Sequence, residues 1–294
     1  MSHNNKSLTF TVDEETELLK FLLKVMDNRS RNSVKSILTR GQVTVDEHME
    51  TKHNYPLKPG QTVNVLKNKE AKKENVLVGM SILYEDRDII IINKEAGLLS
   101  IATEKEKKLT AHHQLMEHVR RENPGNRVFV VHRLDKDTSG VMMFAKSEKI
   151  KKKLQNSWKD IVKERTYIAL VEGEVKQQQG VIKSWLRESK THIMYSSSNK
   201  NDGQLAITHF KKLQSNKNFS LLELQLDTGR KNQIRVHLQD LGHPVVGDKK
   251  YGSTQNVIGR LGLHAKILSF HHPYTEKLML FKADVPKTFI KKSK

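Results

Sequence analysis

Apolar residues recur first at helical and then at strand intervals over residues 14–66 of the chain. In EETELLKFLLKVM the leucines, Phe21 and Val25 follow a helical spacing, and SVKSILTR predicts a second helix that ends at Gly41. Val43 and Val45 then alternate with polar residues, KPG predicts a turn, and TVNVL alternates again. The pattern therefore predicts a small module of two helices followed by a hairpin.

A charged segment separates this module from the rest of the chain. The stretch KNKEAKKEN, residues 67–75, is almost free of apolar residues, and this composition predicts a solvated linker. A chain of 294 residues is also long enough to form two independent cores. We therefore expect two domains, residues 13–66 and 79–290, joined by a linker at 67–78.

Strand-like patterns outnumber helix-like patterns in the second part of the chain. Apolar runs and alternating residues predict strands at 82–84, 89–92, 128–131, 141–145, 166–175, 204–211 and 220–226. Helical spacing predicts helices at 109–121, 147–158 and 232–241. Because strands and helices do not alternate regularly, the pattern predicts an α+β domain with a mainly antiparallel mixed sheet.

The charge balance points to an anionic partner. Lys and Arg total 52 against 33 Asp and Glu, a formal net charge of +19. RNA, DNA and an anionic membrane all fit such an excess. No apolar run approaches the roughly 20 residues of a membrane span, and the polar start MSHNNKSLTF lacks a secretory signal. We therefore expect a soluble, cytoplasmic protein without membrane contact.

The sequence gives little support for thiol or metal chemistry. The chain contains no Cys, which excludes a disulfide, a thiolate nucleophile and a Cys-based zinc site. It contains neither HExxH nor the hydrolase motif GxSxG. His113 and His118 are five residues apart, which places them on different faces of the predicted helix. We therefore expect no metal site.

The loop HRLDKDTSG, residues 132–140, is the first candidate for chemistry. It places seven polar or charged side chains between two strands expected to be buried, and rigid strands hold functional loops in place. Arg133 lies two residues from Asp135, and a nearby cation favours the ionised carboxylate that a nucleophile or base requires. An ordinary charged connection, in which Asp137 or Ser139 caps a turn, explains the same residues.

A second basic segment, TGRKNQIRVHL, follows a predicted strand and enters a predicted helix. Its apolar residues share one face of that helix, which leaves Gln233, Arg235 and His237 off this face and Arg230 at the turn. A basic cluster at such a junction suits contacts with phosphate or carboxylate groups. A solvated basic start of a helix explains the pattern equally well.

Five segments of the second part resemble the motifs of one enzyme family. HRLDKDTSG, RTYIALVEG, TGRKNQIRVHL, GDKKYG and RLGLHAKILSFHHP are similar, in this order, to the signatures of the RluA-type pseudouridine synthases. The resemblance covers nearly all of the chain from Gly79 onward. In the first part, SRNSVKSILTRGQVTVDEH and LKPGQTV resemble the S4 RNA-binding domain.

The resemblance implies an enzyme that isomerises specific uridines to pseudouridine in structured RNA. Large-subunit ribosomal RNA is the expected substrate, with transfer RNA as a second candidate. No redox change occurs in this reaction, so we expect no cofactor, and we expect a monomer. A non-catalytic RNA-binding ribosome-assembly factor is the alternative, although it gives no reason for the motifs to occur together.

The resemblance also assigns roles to individual residues. It implies that Asp135 is the catalytic carboxylate, that Arg235 forms a salt bridge with it, and that Tyr167 stacks on the target base. Arg133 is expected to enter the space that the base leaves. Further expected RNA contacts are His132, Arg230 and Gln233 in the second part and Arg29, Arg31, Lys35 and Arg40 in the first.

Three positions depart from the family pattern. Arg165 stands where Lys is usual, Asn232 replaces a common His, and Glu95 interrupts the familiar string NKPAGL. The departures do not touch Asp135 or its expected partners. Whether Asp135 attacks the nucleotide or removes the 2′ proton of the sugar to give a glycal is open at this point.

Overall fold

A computed structural model of the chain describes residues 7–39, 41–66, 77–200 and 202–294. The chain divides into two compact units, Met1–Val76 and Leu77–Lys294. Arg40 and residues 67–76, most of the predicted linker, lie outside the described residues. In the part of the chain that is described, no helix is long and apolar enough to cross a membrane.

The first unit packs two short helices against a small sheet. Its strands are β1 (Ser7–Thr11), β2 (Thr16–Glu17), β3 (Val43–Val45), β4 (His48–Met49), β5 (Pro56–Leu57) and β6 (Thr62–Leu66), and its helices are α1 (Leu18–Val25) and α2 (Arg31–Thr39). Strands β1, β6, β3 and β4 form one sheet in that order, and β2 pairs with β5. Both predicted helices and both predicted strands are present. The sequence pattern did not predict β1, β2, β4 or β5.

One apolar cluster holds this unit together. Leu22 of α1, Leu38 of α2 and Val63 of β6 are all fully buried in it. The helical spacing of α1 and the alternation of β6 direct these side chains to the same core. At the start of α2, the Ser30 hydroxyl accepts a hydrogen bond from the Ser33 amide, which satisfies one of the free helix donors.

The second unit contains eleven strands and five helices among the residues described. The strands are β7 (Met80–Glu85), β8 (Ile89–Lys94), β9 (Phe129–Val130), β10 (Ser139–Ala145), β11 (Val162–Glu172), β12 (Gln179–Glu188), β13 (Met194–Ser197), β14 (Gln204–Ser215), β15 (Phe219–Leu226), β16 (Leu263–His271) and β17 (Leu278–Lys282). The helices are α3 (Ala111–Glu122), α4 (Glu148–Asn156), α5 (Trp158–Ile161), α6 (Gln233–Asp240) and α7 (Lys287–Lys292). A 3₁₀ turn covers Lys249–Tyr251.

These strands form one sheet in the order β13-β12-β14-β15-β11-β16-β10-β8-β7, with β9 attached to β10 and β17 to β16. Among the pairs of this sheet, β10 and β16 run parallel and the others antiparallel. This confirms the predicted α+β domain with a mainly antiparallel mixed sheet. The parallel strands approach closely at Gly140, where φ is +115° and a Cβ would lie 2.0 Å from the Ala265 carbonyl oxygen. Only glycine fits this position.

The centre of the sheet is buried on both faces. Alternate residues of β8 and β10 pack against Leu115 and Val119 of α3 on one face, and against Ile150 and Leu154 of α4 on the other. Burial on both faces explains why IIII in β8 and VMMFA in β10 are continuous apolar runs. The loop before β10 is therefore attached to the most rigid part of the molecule.

The predicted elements differ from the structure in three ways. Strands β12, β13, β16 and β17 and helix α7 were not predicted, and most residues of β12 and β17 are exposed or only half-buried, so these strands mark no core face. The predicted helix at 147–158 is interrupted at Ser157, where α4 ends and α5 begins. The predicted strand at 128–131 shortens to Phe129–Val130, since its pairing with β10 covers only these two residues.

Candidate active site

Buried hydrogen bonds hold the loop that carries Asp135. Lys94, at the end of β8, is fully buried, and its Nζ donates to the carbonyl oxygens of Leu98 at 2.8 Å and Lys136 at 2.9 Å. The Ser100 hydroxyl donates to the Leu134 carbonyl oxygen at 2.6 Å. Burial lowers the pKa of Lys94 to about 8. The hydrogen bonds of Lys94 and Ser100 thus hold the backbone on both sides of Asp135. The sequence pattern did not predict this role of Lys94.

Asp135 faces Arg235 across two distant segments of the chain. Arg235 Nη1 donates to Asp135 Oδ2 at 3.0 Å, and the side chains of Arg235 and Asp135 are 14% and 37% exposed. The Asp135 carboxylate is therefore accessible, whereas its cationic partner is mostly enclosed. The predicted salt bridge between these residues is present in the structure.

A second carboxylate holds Arg235 in place. Asp248 accepts from Arg235 Nε at 2.6 Å and from Nη2 at 2.8 Å, and its side chain is only 1% exposed. The Arg235 guanidinium lies over the Tyr251 ring, 4.8 Å from its centroid, and Asn232 Nδ2 donates to the Tyr251 hydroxyl at 2.9 Å. Burial alone would lower the pKa of Arg235, but the two carboxylates outweigh it and raise this pKa. Arg235 is therefore a fixed cation.

All seven site residues predicted in the second unit line one cleft of about 880 Å³. They are His132, Arg133, Asp135, Tyr167, Arg230, Gln233 and Arg235. Tyr167 extends from β11 and is half-buried. Burial, followed by the opposing charge of Arg165 and the reinforcing charge of Asp135, raises the pKa of the Tyr167 hydroxyl. The hydroxyl therefore stays protonated at neutral pH.

One of the predicted RNA contacts faces inward instead. The Gln233 side chain is buried, and its amide exchanges four hydrogen bonds with the backbone of Ile207 and Arg230 and the hydroxyls of Thr208 and Thr228. Its hydrogen-bonding capacity is used within the protein. The assignment of Gln233 as an RNA contact therefore needs correction, because it shapes the turn that carries Arg230.

His132 is half-buried and lines the cleft. Its Nε2 accepts from the Met143 amide at 3.1 Å, and its ring lies 5.2 Å from that of Trp158 at 49°. Burial, and then the charge of Arg165, lowers the pKa of His132 to about 4. The imidazole is neutral near pH 7, so His132 offers no positive charge to a phosphate group.

Arg133 and Arg230 are exposed at the cleft. Arg230 Nε donates to the Leu205 carbonyl oxygen at 3.0 Å, and this hydrogen bond holds the Nε end of the guanidinium in place. Arg165, one of the departures from the family pattern, also lines the cleft and donates from Nη2 to the Leu226 carbonyl oxygen at 2.9 Å. Burial lowers the pKa of Arg165.

The predicted residues of the first unit lie on or beside α2. Arg31 opens this helix, Lys35 follows one turn later, and Arg29 precedes it in the adjoining turn. Arg29 and Arg31 are exposed and Lys35 is half-buried. The i, i+4 spacing places Arg31 and Lys35 on one helix face. Arg40, the fourth predicted residue, lies outside the described residues.

One group of potential metal ligands occurs in the described ranges, at the turn between β7 and β8. It consists of Asp86, Asp88 and the buried His272. His272 Nδ1 accepts from the amides of Tyr274 and Thr275, so the ring proton resides on Nε2, which lies 3.0 Å from Asp86 Oδ2. A protonated Nε2 has no lone pair for a cation. These contacts describe an internal polar cluster, without the donor set of a metal site.

Comparison with known proteins identifies the family. The sequence model of the RNA pseudouridylate synthase family matches residues 88–240. Two Bacillus subtilis proteins, the uncharacterized RNA pseudouridine synthases YjbO and YlyB, are 36% and 34% identical to the chain. The alignments cover 83% and 96% of this chain and 87% and 95% of the relatives. The ribosomal large subunit pseudouridine synthase D of Vibrio vulnificus is 32% identical, over 87% of this chain and 83% of its own.

Solved structures agree with the sequence comparison. Human RNA pseudouridylate synthase domain containing 1 superimposes with a TM-score of 0.58 at 26% identity, and covers 71% of this chain and 84% of its own. Human RNA pseudouridylate synthase domain containing 4 gives the same TM-score at 25% identity. The family match over residues 88–240 includes the loop of Asp135 and the helix of Arg235. The chain therefore belongs to the RluA-type RNA pseudouridine synthases and is an enzyme that isomerises uridine in RNA.

Proposed function

We propose that this enzyme converts specific uridines of large-subunit ribosomal RNA to pseudouridine, with Asp135 as the catalytic carboxylate. The ion pair between Asp135 and Arg235, in one cleft with Tyr167, is the observation that carries this assignment. The similarity to the Vibrio vulnificus enzyme named for the large ribosomal subunit supports the substrate class. Ribosomal RNA as substrate implies action in the cytoplasm, and a cleft built from one chain supports a monomer.

The reaction begins with extrusion of the target nucleotide, because a stacked uridine hides its glycosidic bond. Unstacking costs a few kcal/mol. Tyr167 offsets this cost by stacking on the extruded base, and Arg133, exposed at the cleft, enters the space that the base leaves. Both roles are implied by the family resemblance, and an aromatic ring inside the cleft and a long cation at its surface support them.

The chemical step exchanges one bond of the sugar for another. The bond from C1′ to N1 of uracil breaks, the base rotates, and a bond from C1′ to C5 forms. The proton on C5 is then lost and N1 gains one, so no oxidant, reductant or cofactor enters the balance. Asp135 either attacks the nucleotide or takes the 2′ proton to give a glycal. Both routes need an ionised carboxylate, which the adjacent Arg235 stabilises.

The first unit is proposed to bind structured RNA, as its resemblance to the S4 domain implies. Arg29, Arg31 and Lys35 supply positive charge on and beside α2. Such contacts with phosphates add affinity that depends on salt. They position a large folded RNA and carry no sequence information by themselves.

Mapping of pseudouridines in ribosomal and transfer RNA, from cells with and without the gene, tests the proposal. We expect one or a few uridines of large-subunit ribosomal RNA to remain unmodified without the gene. A wild-type copy should restore them, whereas an Asp135→Asn copy should not, although the purified variant keeps most of its RNA affinity. Loss of pseudouridine from transfer RNA alone would overturn the substrate class.

The same experiment separates the enzyme from an assembly factor. An assembly factor would leave the pseudouridine map intact and change the ratio of ribosomal subunits. Turnover by purified Asp135→Asn, with conversion of the Asn side chain excluded by mass spectrometry, would overturn the role of Asp135.

A further inference from the structure

We propose that α4 and α5 form a phosphate-binding rim for the RNA strand beside the target nucleotide, with Lys151 and Lys159 as its contacts. We call Lys151 and Lys159 the rim lysines. This inference rests on the proposed function, since it concerns the same cleft and an RNA substrate. It adds a surface that neither the motifs nor the resemblance assigned.

The first observation is continuity with the cleft. Its wall includes Gln155 and Asn156 at the end of α4, and Trp158 and Lys159 in α5. Lys151 precedes Gln155 by four residues, so both lie on the same side of α4. Lys159 thus lies in the wall of the cleft that contains Asp135, and Lys151 lies one helical turn before this wall.

The second observation is that the rim is attached to the catalytic loop. Gln155 Nε2 donates to the Val131 carbonyl oxygen at 2.9 Å, and Trp158 packs on His132. Val131 and His132 directly precede the segment that carries Asp135. Because Ile150 and Leu154 anchor α4 in the core, a phosphate bound at this rim would hold a fixed position relative to Asp135.

The third observation is the balance of charge. Residues 148–163 contain six lysines against two acidic residues, Glu148 and Asp160. Lys152 pairs with Glu148 at 3.3 Å. Within the described parts of the chain, no ion pair involves Lys151 or Lys159. Their charges are therefore not neutralised by a neighbouring carboxylate.

Residues 227–231 of the cleft lining differ. Lys231 is paired with Glu188, and Arg230 Nε is bonded to the Leu205 backbone. Asp160 and Asp227 each add a negative charge to the lining. A polyanionic strand that enters the cleft therefore finds lysine charges without an ion-pair partner along α4 and α5. RNA fits this surface because its phosphates repeat along the strand and match several separate cations.

The test compares RNA binding by three double variants at several salt concentrations. The probe is an unmodified transcript of large-subunit ribosomal RNA. For Lys151→Gln with Lys159→Gln, we expect the slope of log affinity against log salt to become shallower by about 1.4 to 1.8, since each phosphate contact contributes about 0.7 to 0.9. KM for RNA should rise while kcat is retained, because neither lysine contacts the reacting atoms.

Two controls separate a local contact from a general effect of charge. The first removes two exposed lysines of α7, Lys287→Gln with Lys291→Gln, which lie outside the cleft lining. The second keeps the charge, as Lys151→Arg with Lys159→Arg. We expect both controls to keep the wild-type slope.

Equal salt slopes for the glutamine variants of the rim lysines and of α7 would overturn the proposal that the rim lysines bind RNA. Failure of the proposed function gives a different result. If the proposed function is wrong, the wild-type enzyme forms no pseudouridine in the transcript, although the binding slopes still show whether the rim lysines contact RNA. Pseudouridine formation by the wild type, together with unchanged slopes in the rim variant, rejects the rim alone.

Discussion

Arg235 shares its guanidinium between two carboxylates. Two of its nitrogens donate to the buried Asp248, and a third donates to Asp135. A planar guanidinium bound at two nitrogens has little freedom to rotate, so Asp248 determines where the third nitrogen points. Asp248 is therefore a positioning residue, which acts on Asp135 through Arg235.

Replacing Asp248 with Asn keeps the shape of the side chain and removes its charge. We expect kcat to fall by roughly 10- to 100-fold, because a displacement of about 1 Å near the reacting atoms suffices for such a loss. KM for RNA should change little, since Asp248 is buried behind Arg235 and is not expected to contact the RNA. Multiple-turnover initial rates over a range of RNA concentrations measure both constants.

The matched control for Asp248 is Asp240→Asn, an exposed acid at the end of the helix that carries Arg235. It should retain wild-type kinetics. A D248N protein with the wild-type kcat and melting temperature contradicts the positioning role. A lower melting temperature with unchanged kcat assigns Asp248 to stability alone.

Tyr167 offers either an aromatic face or a hydroxyl proton to the reaction. If stacking dominates, Tyr167→Phe binds RNA normally, while Tyr167→Leu loses the roughly 1–3 kcal/mol of one stacked base, which is about 5- to 150-fold in affinity. We expect the Tyr167→Phe variant to bind RNA well but to turn over slowly. The Tyr167→Leu variant should lose both RNA affinity and turnover. Affinity and single-turnover rate of the two variants are the measurements. Wild-type behaviour of Leu in both would make Tyr167 an ordinary core residue.

Helix α6 is fixed to the sheet by a buried histidine. His237 Nδ1 lies 2.8 Å from the Thr208 hydroxyl and Nε2 lies 3.0 Å from the Ser184 hydroxyl, and the side chain is fully buried. Burial lowers the pKa of His237 to about 4, against the opposing charge of Asp240. The helix that presents Arg235 therefore depends on a neutral imidazole.

Acid should weaken this attachment. The pKa of His237 is lower in the folded state than the 6.5 of a free histidine, so the unfolded chain takes up the proton first as pH falls. Neutral His237 contributes roughly 3 kcal/mol to the free energy of unfolding. This contribution is complete above about pH 6.5 and is lost as pH falls towards 4. Unfolding by urea at several pH values should show a shallower decline for His237→Gln than for the wild type.

The control for the pH experiment is His113→Gln in α3, whose side chain is 41% exposed. This substitution should leave the decline of the unfolding free energy unchanged. An identical decline in the wild type and in His237→Gln would show that the proton uptake belongs to other groups, of which buried His264 is the first to examine.

At the scale of the whole molecule, each unit has its own apolar clusters. We therefore expect a chain without residues 1–75 to fold cooperatively, because the core of Leu77–Lys294 uses no residue of the first unit. The shortened enzyme should bind ribosomal RNA more weakly and with a shallower salt dependence, since Arg29, Arg31 and Lys35 are removed. Circular dichroism and salt-dependent binding test both points. An unchanged salt slope argues against RNA contacts by the first unit.

Local pattern was sufficient for much of the architecture. Helices α1, α2, α3 and α6 and the strands on both sides of Asp135 follow from spacing, because amphipathic periodicity depends on neighbours within a few residues. The order of the motifs also placed Asp135 and Arg235 in one site, although they are 100 residues apart. Strands β12 and β17 were left unpredicted, since few of their residues are buried and pairing with β14 and β16 stabilises them.

The sequence by itself determined the fold class, the family and the pair of opposite charges at the centre of the site. Only the tertiary structure decided that Gln233 turns inward, that the ring of His132 packs on Trp158, that Lys94 supports the loop of Asp135, and that Asp248 holds Arg235. The reason is physical. A polar residue type states which bonds a side chain can make, whereas burial and the approach of distant segments decide which of those bonds it makes.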